Sequence, residues 1–407
     1  MAKKGVRLFV LNVGQGMGNY VEICGNGLDR PPTNTFIYDL GSEKGNKKYG
    51  GPAVGFILDR LKKMSQPRID LITFSHGDKD HWNLFRSLID RSGKEVPKLK
   101  YGDVYYGGTK DQYDYGSSNY NVLNVLKSKD AKVYSPFSNA STCFYKKLPD
   151  NTWPLLANYS GFKIRLLLAN VDKGVVLFDK KTNTHFTNKN SVSAVIVCEY
   201  ANARFILTGD ATGLTVKKIV ELINMQNIQD QVNNTFMLVV PHHGSAVTLK
   251  NGEKNPYEAA KKFAEYCDAN SITASADFRD DFWHPDYNIL EIFCARKKLQ
   301  VHPLEIGNRG YIPPKDETTY PEHLYTAYEG NDWKPFASID NIFTTAYTKS
   351  RRVYWTFTID EDGTKSIKRT PEDALSELSG NSPVLQILNK HGAPGSDIGK
   401  AKKKKKN

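Results

Sequence analysis

Asp70-Leu-Ile-Thr-Phe74 runs straight into Ser75-His76-Gly77-Asp78-Lys79-Asp80-His81. The first five residues are almost uninterruptedly apolar, which suits a strand buried on both faces. The polar septet therefore occupies the loop at that strand's C-terminal end. Two imidazoles and two carboxylates within six residues cannot be packed as core, because their desolvation needs a partner. A divalent metal is such a partner, since neutral imidazole and carboxylate are standard ligands. Alternate residues of a turn can also face two centres about 3.5–4 Å apart, the separation that two-metal hydrolysis uses. The competing reading is an exposed polar loop.

Two more stretches repeat the design. Phe205-Ile-Leu-Thr-Gly-Asp210 is an apolar strand closing on a carboxylate, and Met237-Leu-Val-Val-Pro-His242-His243-Gly244-Ser245 is an apolar strand closing on paired histidines. Taken alone, either could be an ordinary strand end. Neighbouring side chains on an extended chain point opposite ways, so one of His242 and His243 is expected to be a ligand. Four of the nine histidines lie in these strand-end loops, and a fifth, His284, stands in Trp283-His284-Pro285 before a helix. His284 could equally cap its own turn.

Working outward, strands are expected at 7–13, 20–24 and 34–39, then a helix over 53–64 with Val54, Ile57, Leu58 and Leu61 on one face. Residues 101–160 are rich in Tyr, Gly, Asn and Ser and read as irregular loops around short elements, with a helix near 121–129. A second batch of strands follows at 162–168, 193–200, 204–207 and 237–240, with helices at 214–225, 256–267 and 287–298. A hairpin over 353–369 closes the pattern. Two similar batches of strands and helices fit two packed sheets with helices outside, an α/β architecture in one large domain over 1–370. Residues 101–160 and 303–340 are its insertions. Residues 371–407 are expected to hold a short helix and a disordered Lys-rich tail.

The chain has 407 residues and a formal net charge of +12. Lys400 and Lys402–Lys406 supply six of those charges, leaving the body near +6. Positive charge favours a phosphate-bearing partner, and it also serves solubility. The five cysteines, Cys24, Cys143, Cys198, Cys267 and Cys294, are odd in number and form no Cys-x-x-Cys, against a disulfide framework or zinc knuckle. No apolar run approaches the ~20 residues of a membrane span. The first residues carry no apolar signal core. A cytoplasmic location without membrane partners is the expectation.

With these residues in place, the chain resembles the metallo-β-lactamase superfamily, and within it the soluble hydrolase domain of the competence protein ComEC family. The resemblance is carried by Leu11-Asn-Val-Gly-Gln-Gly16, Tyr38-Asp39-Leu-Gly41, His76-x-Asp78-x-Asp80-His81, Asn190-x-x-Ser193, Leu207-Thr-Gly-Asp210, Val240-Pro-His-His-Gly-Ser245 and His284-Pro285, in that order. It implies a four-layer αββα sandwich with enlarged loops and a site at one edge. It implies two divalent ions, Zn²⁺ or Mn²⁺. His76 and Asp78 would hold one ion; Asp80, His81 and one of His242 or His243 the other; Asp210 would bridge. Asp39, Asn190 and Ser193 would support the ligands, Asn190 standing where many relatives have His. Gln15 and Ser245 would face substrate, Asp80 would orient or deprotonate water, and His284 would contact a substrate oxygen or the leaving group. The loop after Gly16 continues Met17-Gly18-Asn19, where the family often has Asp, and the family's transmembrane segments are absent from this sequence.

The expected activity is metal-dependent hydrolysis of a nucleic-acid or nucleotide phosphodiester. The alternatives are a small-molecule hydrolase, acting on a cyclic nucleotide, phosphocholine ester or thioester, and a non-catalytic nucleic-acid-binding protein of this fold. The lysine tail would add salt-dependent affinity for nucleic acid. Tyr105, Tyr106, Tyr113, Tyr115 and Tyr120 could stack on bases or pack on their own sheet.

Overall fold

The chain's apolar stretches become two sets of strands. The first is β1 (Gly5–Leu11), β2 (Gly18–Cys24), β3 (Asn34–Leu40), β4 (Arg68–Phe74), β5 (Lys100–Tyr106) and β6 (Lys132–Tyr134). The second is β7 (Leu155–Tyr159), β8 (Phe162–Leu168), the hairpin β9 (Val176–Asp179) and β10 (Thr184–Thr187), β11 (Val195–Tyr200), β12 (Ala203–Leu207), β13 (Thr235–Val239) and β14 (Ser271–Ala274). A further hairpin, β15 (Tyr325–Glu329) and β16 (Asp332–Phe336), precedes β17 (Ile342–Thr344), β18 (Tyr354–Asp360) and β19 (Lys365–Thr370). The computed structural model describes residues 2–43, 50–116, 120–134, 153–171, 176–179, 184–187, 189–250, 257–275, 287–294, 325–329, 332–336, 342–344 and 354–370. His284, most of 303–340 and the tail beyond 370 lie outside the described residues.

One sheet has the order β19-β18-β1-β2-β3-β4-β5-β6 and the other β17-β14-β13-β12-β11-β8-β7. Each is antiparallel in one half and parallel in the other: β3 to β6 run parallel, as do β12, β13, β14 and β17. Parallel strands present their C-terminal ends together, and in open α/β sheets that is where ligands collect.

Period-two alternation decides the layers. On β1, Val6, Leu8 and Val10 join the large cluster with the second sheet, while Phe9 and Leu11 turn to the other face. That outer face is covered by α1 (Gly51–Leu61), α2 (Leu84–Glu95) and α3 (Val122–Lys127), with Val54, Ile57, Leu58 and Leu61 of α1 buried. Beyond the second sheet lie α4 (Gly213–Gln226), the short α5 (Ala246–Lys250), α6 (Glu258–Cys267) and α7 (Tyr287–Cys294). The result is the αββα sandwich implied by the resemblance.

The hairpin β18–β19 joins the first sheet through β1, with Leu8 opposite Phe357. Cys24, Cys198 and Cys267 are free and buried. Among the described residues, no helix is long and apolar enough to cross a membrane.

Residues 101–160 hold more regular structure than loops around short elements, since β5, β6 and β7 lie there, while α3 falls where a helix near 121–129 is expected. It adds α2 and β14, which the pattern did not yield. The tyrosines pack on their own protein rather than offering free faces. Tyr113 is fully buried and Tyr106 nearly so, Tyr105 stacks on Tyr134 with centroids 5.2 Å apart, and Tyr115 and Tyr120 both lie against the Arg86 guanidinium.

Candidate metal centre

Strand β4 ends at Phe74, and the chain turns through a short 3-10 segment, Lys79–His81. The turn is fixed by His81 N–H donating to the Asp78 carbonyl (3.0 Å) and by the buried Trp82 indole donating to the Gly77 carbonyl (2.9 Å). His76 and His81 have no side-chain exposure, whereas Asp78 and Asp80 keep 37% and 22%. The imidazoles thus form a floor, and the carboxylates an open rim.

Asp39, at the end of β3, orders that floor. Its backbone is left-handed (φ 55°), which brings the carboxylate back across the sheet end. Oδ1 accepts from Ser75 N–H (2.7 Å); Oδ2 accepts from Ser75 Oγ–H (2.6 Å) and lies 2.8 Å from His81 Nδ1. A carboxylate only accepts, so His81 Nδ1 carries the hydrogen. Ser75's single hydroxyl hydrogen goes to Asp39, so Ser75 Oγ accepts from His76 Nδ1 (3.0 Å). In their neutral form both rings therefore turn a lone pair on Nε2 toward the cleft. Hydrogen bonds of this kind set the tautomer of a metal-binding histidine. Ser75 is a member of this hydrogen-bond network that sequence reasoning missed.

Asp210 follows β12 and faces the floor from the second sheet. Its Oδ1 lies 3.1 Å from His81 Nε2 and 3.3 Å from His243 Nε2. Its Oδ2 lies 3.8 Å from His76 Nε2 and 3.6 Å from His242 Nε2. The expectation that adjacent histidines diverge is corrected here. His242 and His243 both have left-handed backbones (φ 47° and 54°), so both rings reach Asp210. Such conformations cost L-residues roughly 1–2 kcal/mol each, and strain of this kind clusters at functional sites. His243 Nδ1 is hydrogen-bonded to the Ser275 carbonyl at the end of β14, and His242 Nδ1 is 3.2 Å from the Asn190 amide nitrogen.

The charges interlock. Burial alone would lower the His81 pKa, but Asp210 and then Asp39 outweigh it and hold the ring well above the usual imidazole range. Burial would raise Asp210, yet the imidazoles of His242, His81 and His243 hold it well below the carboxylate range. Burial lowers His242, against the pull of Asp210.

Two donor sets emerge, His76 with His81 and Asp210, and Asp80 with His81 and His243, the donor atoms of each set lying within 4.8 Å of one another. His76 Nε2, His81 Nε2 and Asp210 Oδ1 are buried and make no hydrogen bond. Unmet groups of this kind cost about 1–3 kcal/mol each. Ligand bonds of about 2.0–2.2 Å at tetrahedral angles place donors roughly 3.3–3.6 Å apart, and the 3.1–3.8 Å separations around Asp210 bracket that spacing. The residues therefore fit divalent metal ions.

Gln15 and Ser245 are buried: the Gln15 carbonyl accepts from Glu43 N–H (2.7 Å), Ser245 N–H donates to the His242 carbonyl (2.8 Å), and Ser245 Oγ lies 3.3 Å from Thr248 Oγ1. Ser193 N–H donates to the Asn190 carbonyl, and its neighbour Ala194 N–H to the Ser75 carbonyl.

Two glycines let the loops converge. A Cβ on Gly209 would lie 2.5 Å from Ser75 Cβ, and one on Gly41 would lie 2.3 Å from the Asp80 carbonyl carbon. Gly41→Ala should therefore force the Asp39 loop off the metal-loop backbone. The expected cost is about 1–3 kcal/mol, read as a lowered midpoint in thermal or urea unfolding. An unchanged midpoint would show that the loops can separate freely.

No family model and no curated protein matches the sequence. Among solved structures, a diphosphatase of the PhnP family is 11% identical over 66% of this chain and 85% of its own, with a TM-score of 0.32. A metal-dependent hydrolase from Parabacteroides distasonis is 12% identical over 72% of this chain and 89% of its own, TM-score 0.32. A long-form RNase Z from yeast is 12% identical over 71% of this chain, TM-score 0.36; the match spans 40% of that enzyme. At such identities, what each of those proteins acts on stays with that protein.

Proposed function

We propose that this chain is a two-metal phosphodiesterase of the metallo-β-lactamase type, most like the ComEC hydrolase domain, acting on nucleic acid. The observation that carries the reading is Asp210, whose Oδ1 faces His81 and His243 while its Oδ2 faces His76 and His242. His76, Asp78 and Asp210 are assigned to one ion, and Asp80, His81, His243 and Asp210 to the other. Three carboxylates make the set oxygen-rich, which suits Mn²⁺ as well as Zn²⁺. When bound, such a pair lowers the pKa of water and offers positive charge to a phosphoryl oxygen.

The protein's own groups then divide the work. Asp39 and Ser75 hold the two floor imidazoles in the lone-pair-outward tautomer. Asp80, on the open rim, takes the proton of the attacking water. His284 is assigned to the leaving-group side from the resemblance. The excess of Lys and Arg and the lysine tail favour a polyanionic substrate over a small neutral one.

The test is incubation of purified protein with Mn²⁺ or Zn²⁺ and plasmid, oligonucleotide, cyclic dinucleotide or bis-p-nitrophenyl phosphate. Metal-dependent cleavage of the polymers is expected, with Asp80→Ala lowering the rate by about 10²–10⁴-fold, as loss of a general base does. Cleavage of only the small esters would replace the nuclease with a small-molecule hydrolase. Wild-type rates in Asp80→Ala would remove the site assignment.

A further inference from the structure

Asn190 stands where the resemblance would place a ligand histidine, which leaves the His76–Asp78 centre one imidazole short. We infer that His242 supplies it, so that the paired histidines serve both ions, His243 one and His242 the other. The inference rests on the two-metal reading above and extends it.

Asp210 divides the imidazoles evenly. Oδ1 faces His81 and His243; Oδ2 faces His76 and His242, at 3.8 and 3.6 Å. Asp78 Oδ2 lies 3.5 Å from the same His76 Nε2. Each oxygen of the bridging carboxylate thus meets one ring from the β4 loop and one from the His-His turn. An extended backbone would send one of the paired rings away. The left-handed run of His242, His243 and Gly244 (φ 47°, 54° and 81°) keeps both on the site side. That is an unfavourable backbone for histidine, and a ligand role for His243 alone gives His242 no reason to share it.

Asn190 then has a different task. Its amide lies 3.2 Å from His242 Nδ1. The atom nearest that nitrogen is the amide Nδ2, a donor; only with the amide flipped, Oδ1 in its place, would Asn190 accept the Nδ1 hydrogen and leave the Nε2 lone pair toward the ion. Asn190 would thus position His242 as Asp39 positions His81. His242 also keeps 16% side-chain exposure, whereas His76 and His81 keep none.

The experiment counts metal. Wild-type protein and His242→Gly are loaded with Mn²⁺ or Zn²⁺, dialysed against a graded chelator, and measured by elemental analysis. Glycine keeps the left-handed turn without strain and removes only the imidazole. Two ions per chain are expected in wild type and one in His242→Gly. Adding Asn190→His to His242→Gly should return the count to two, because the imidazole re-enters from the 3-10 segment Lys189–Val192, where the resemblance places it. Circular dichroism checks the fold, and His242→Asn, which also tolerates the turn, gives an independent variant. Two ions held with wild-type chelator resistance in both variants would overturn the inference while leaving the two-metal reading intact. No ion in wild type would remove both.

Discussion

Asp210→Ala is expected to strip the protein of both ions and reduce hydrolysis to the uncatalysed background. In the proposed assignment every other ligand serves one centre, whereas the Asp210 carboxylate lies within 3.1–3.8 Å of four imidazole nitrogens. Removing it leaves those rings facing one another with no common anion. Elemental analysis after loading should find neither ion, where loss of a ligand to one centre leaves the other.

The same variant has a signature in metal-free protein. Asp210 is held below its ordinary value of 3.8, so its contribution to stability is present above pH 3.8 and fades as the pH falls through its folded value. His81 is held above its ordinary 6.5, so its contribution is full below pH 6.5 and fades as the pH rises through its folded value. The pair is mutually stabilising between those limits. Loss of one partner of a buried pair costs about 3–5 kcal/mol. In EDTA, Asp210→Ala should therefore unfold at a lower urea midpoint than wild type at pH 5.5, and the gap should close as His81 deprotonates at higher pH. A gap that does not change with pH would mean that the two groups are not coupled.

How much of this was legible in the sequence depends on the range of the interaction concerned. The β4 strand and its septet are local: an apolar run followed by ligand-type residues fixes both a buried strand and a loop at its end. Asp210 and the His-His turn were readable for the same reason. Ser75 was not. It lies within the septet, but its hydroxyl matters only because Asp39, thirty-six positions earlier, takes its hydrogen and leaves its lone pairs to His76. The shared orientation of His242 and His243 was hidden too, because alternation assumes an extended backbone and these residues are left-handed. Lys100-Tyr-Gly-Asp-Val-Tyr-Tyr106 reads as a loop by composition. It is a strand because it lies between β4 and β6 in the parallel half of the sheet, where its neighbours rather than its own propensity hold it.

Asp39→Asn should weaken metal binding about 10–100-fold, the usual effect of losing a hydrogen-bond partner of a ligand histidine, while removing no ligand at all. Three donors converge on the two Asp39 oxygens: Ser75 N–H, Ser75 Oγ–H and His81 Nδ1–H. An amide offers one oxygen and one NH₂ group. The Ser75 N–H is fixed by the backbone, so it claims the oxygen, and the NH₂ faces Ser75 Oγ and His81. Ser75 then accepts from the amide and turns its own hydrogen onto His76 Nδ1. His81 Nδ1 likewise becomes an acceptor. Both rings shift their hydrogen to Nε2, where the ion would bind, and the cluster presents N–H groups in place of lone pairs. Nitrogen-15 chemical shifts of the imidazoles in metal-free protein, at a pH above the folded value of His81, should report the change of tautomer directly, and chelator competition should report the affinity. Ser75→Ala breaks only the link to His76, so its effect should be smaller. Combined with Asp39→Asn it should add less than its separate cost, because both substitutions act through one hydrogen-bond network. Wild-type affinity and unchanged tautomers in Asp39→Asn would show that the rings are oriented by packing alone, and the proton accounting at this site would fail.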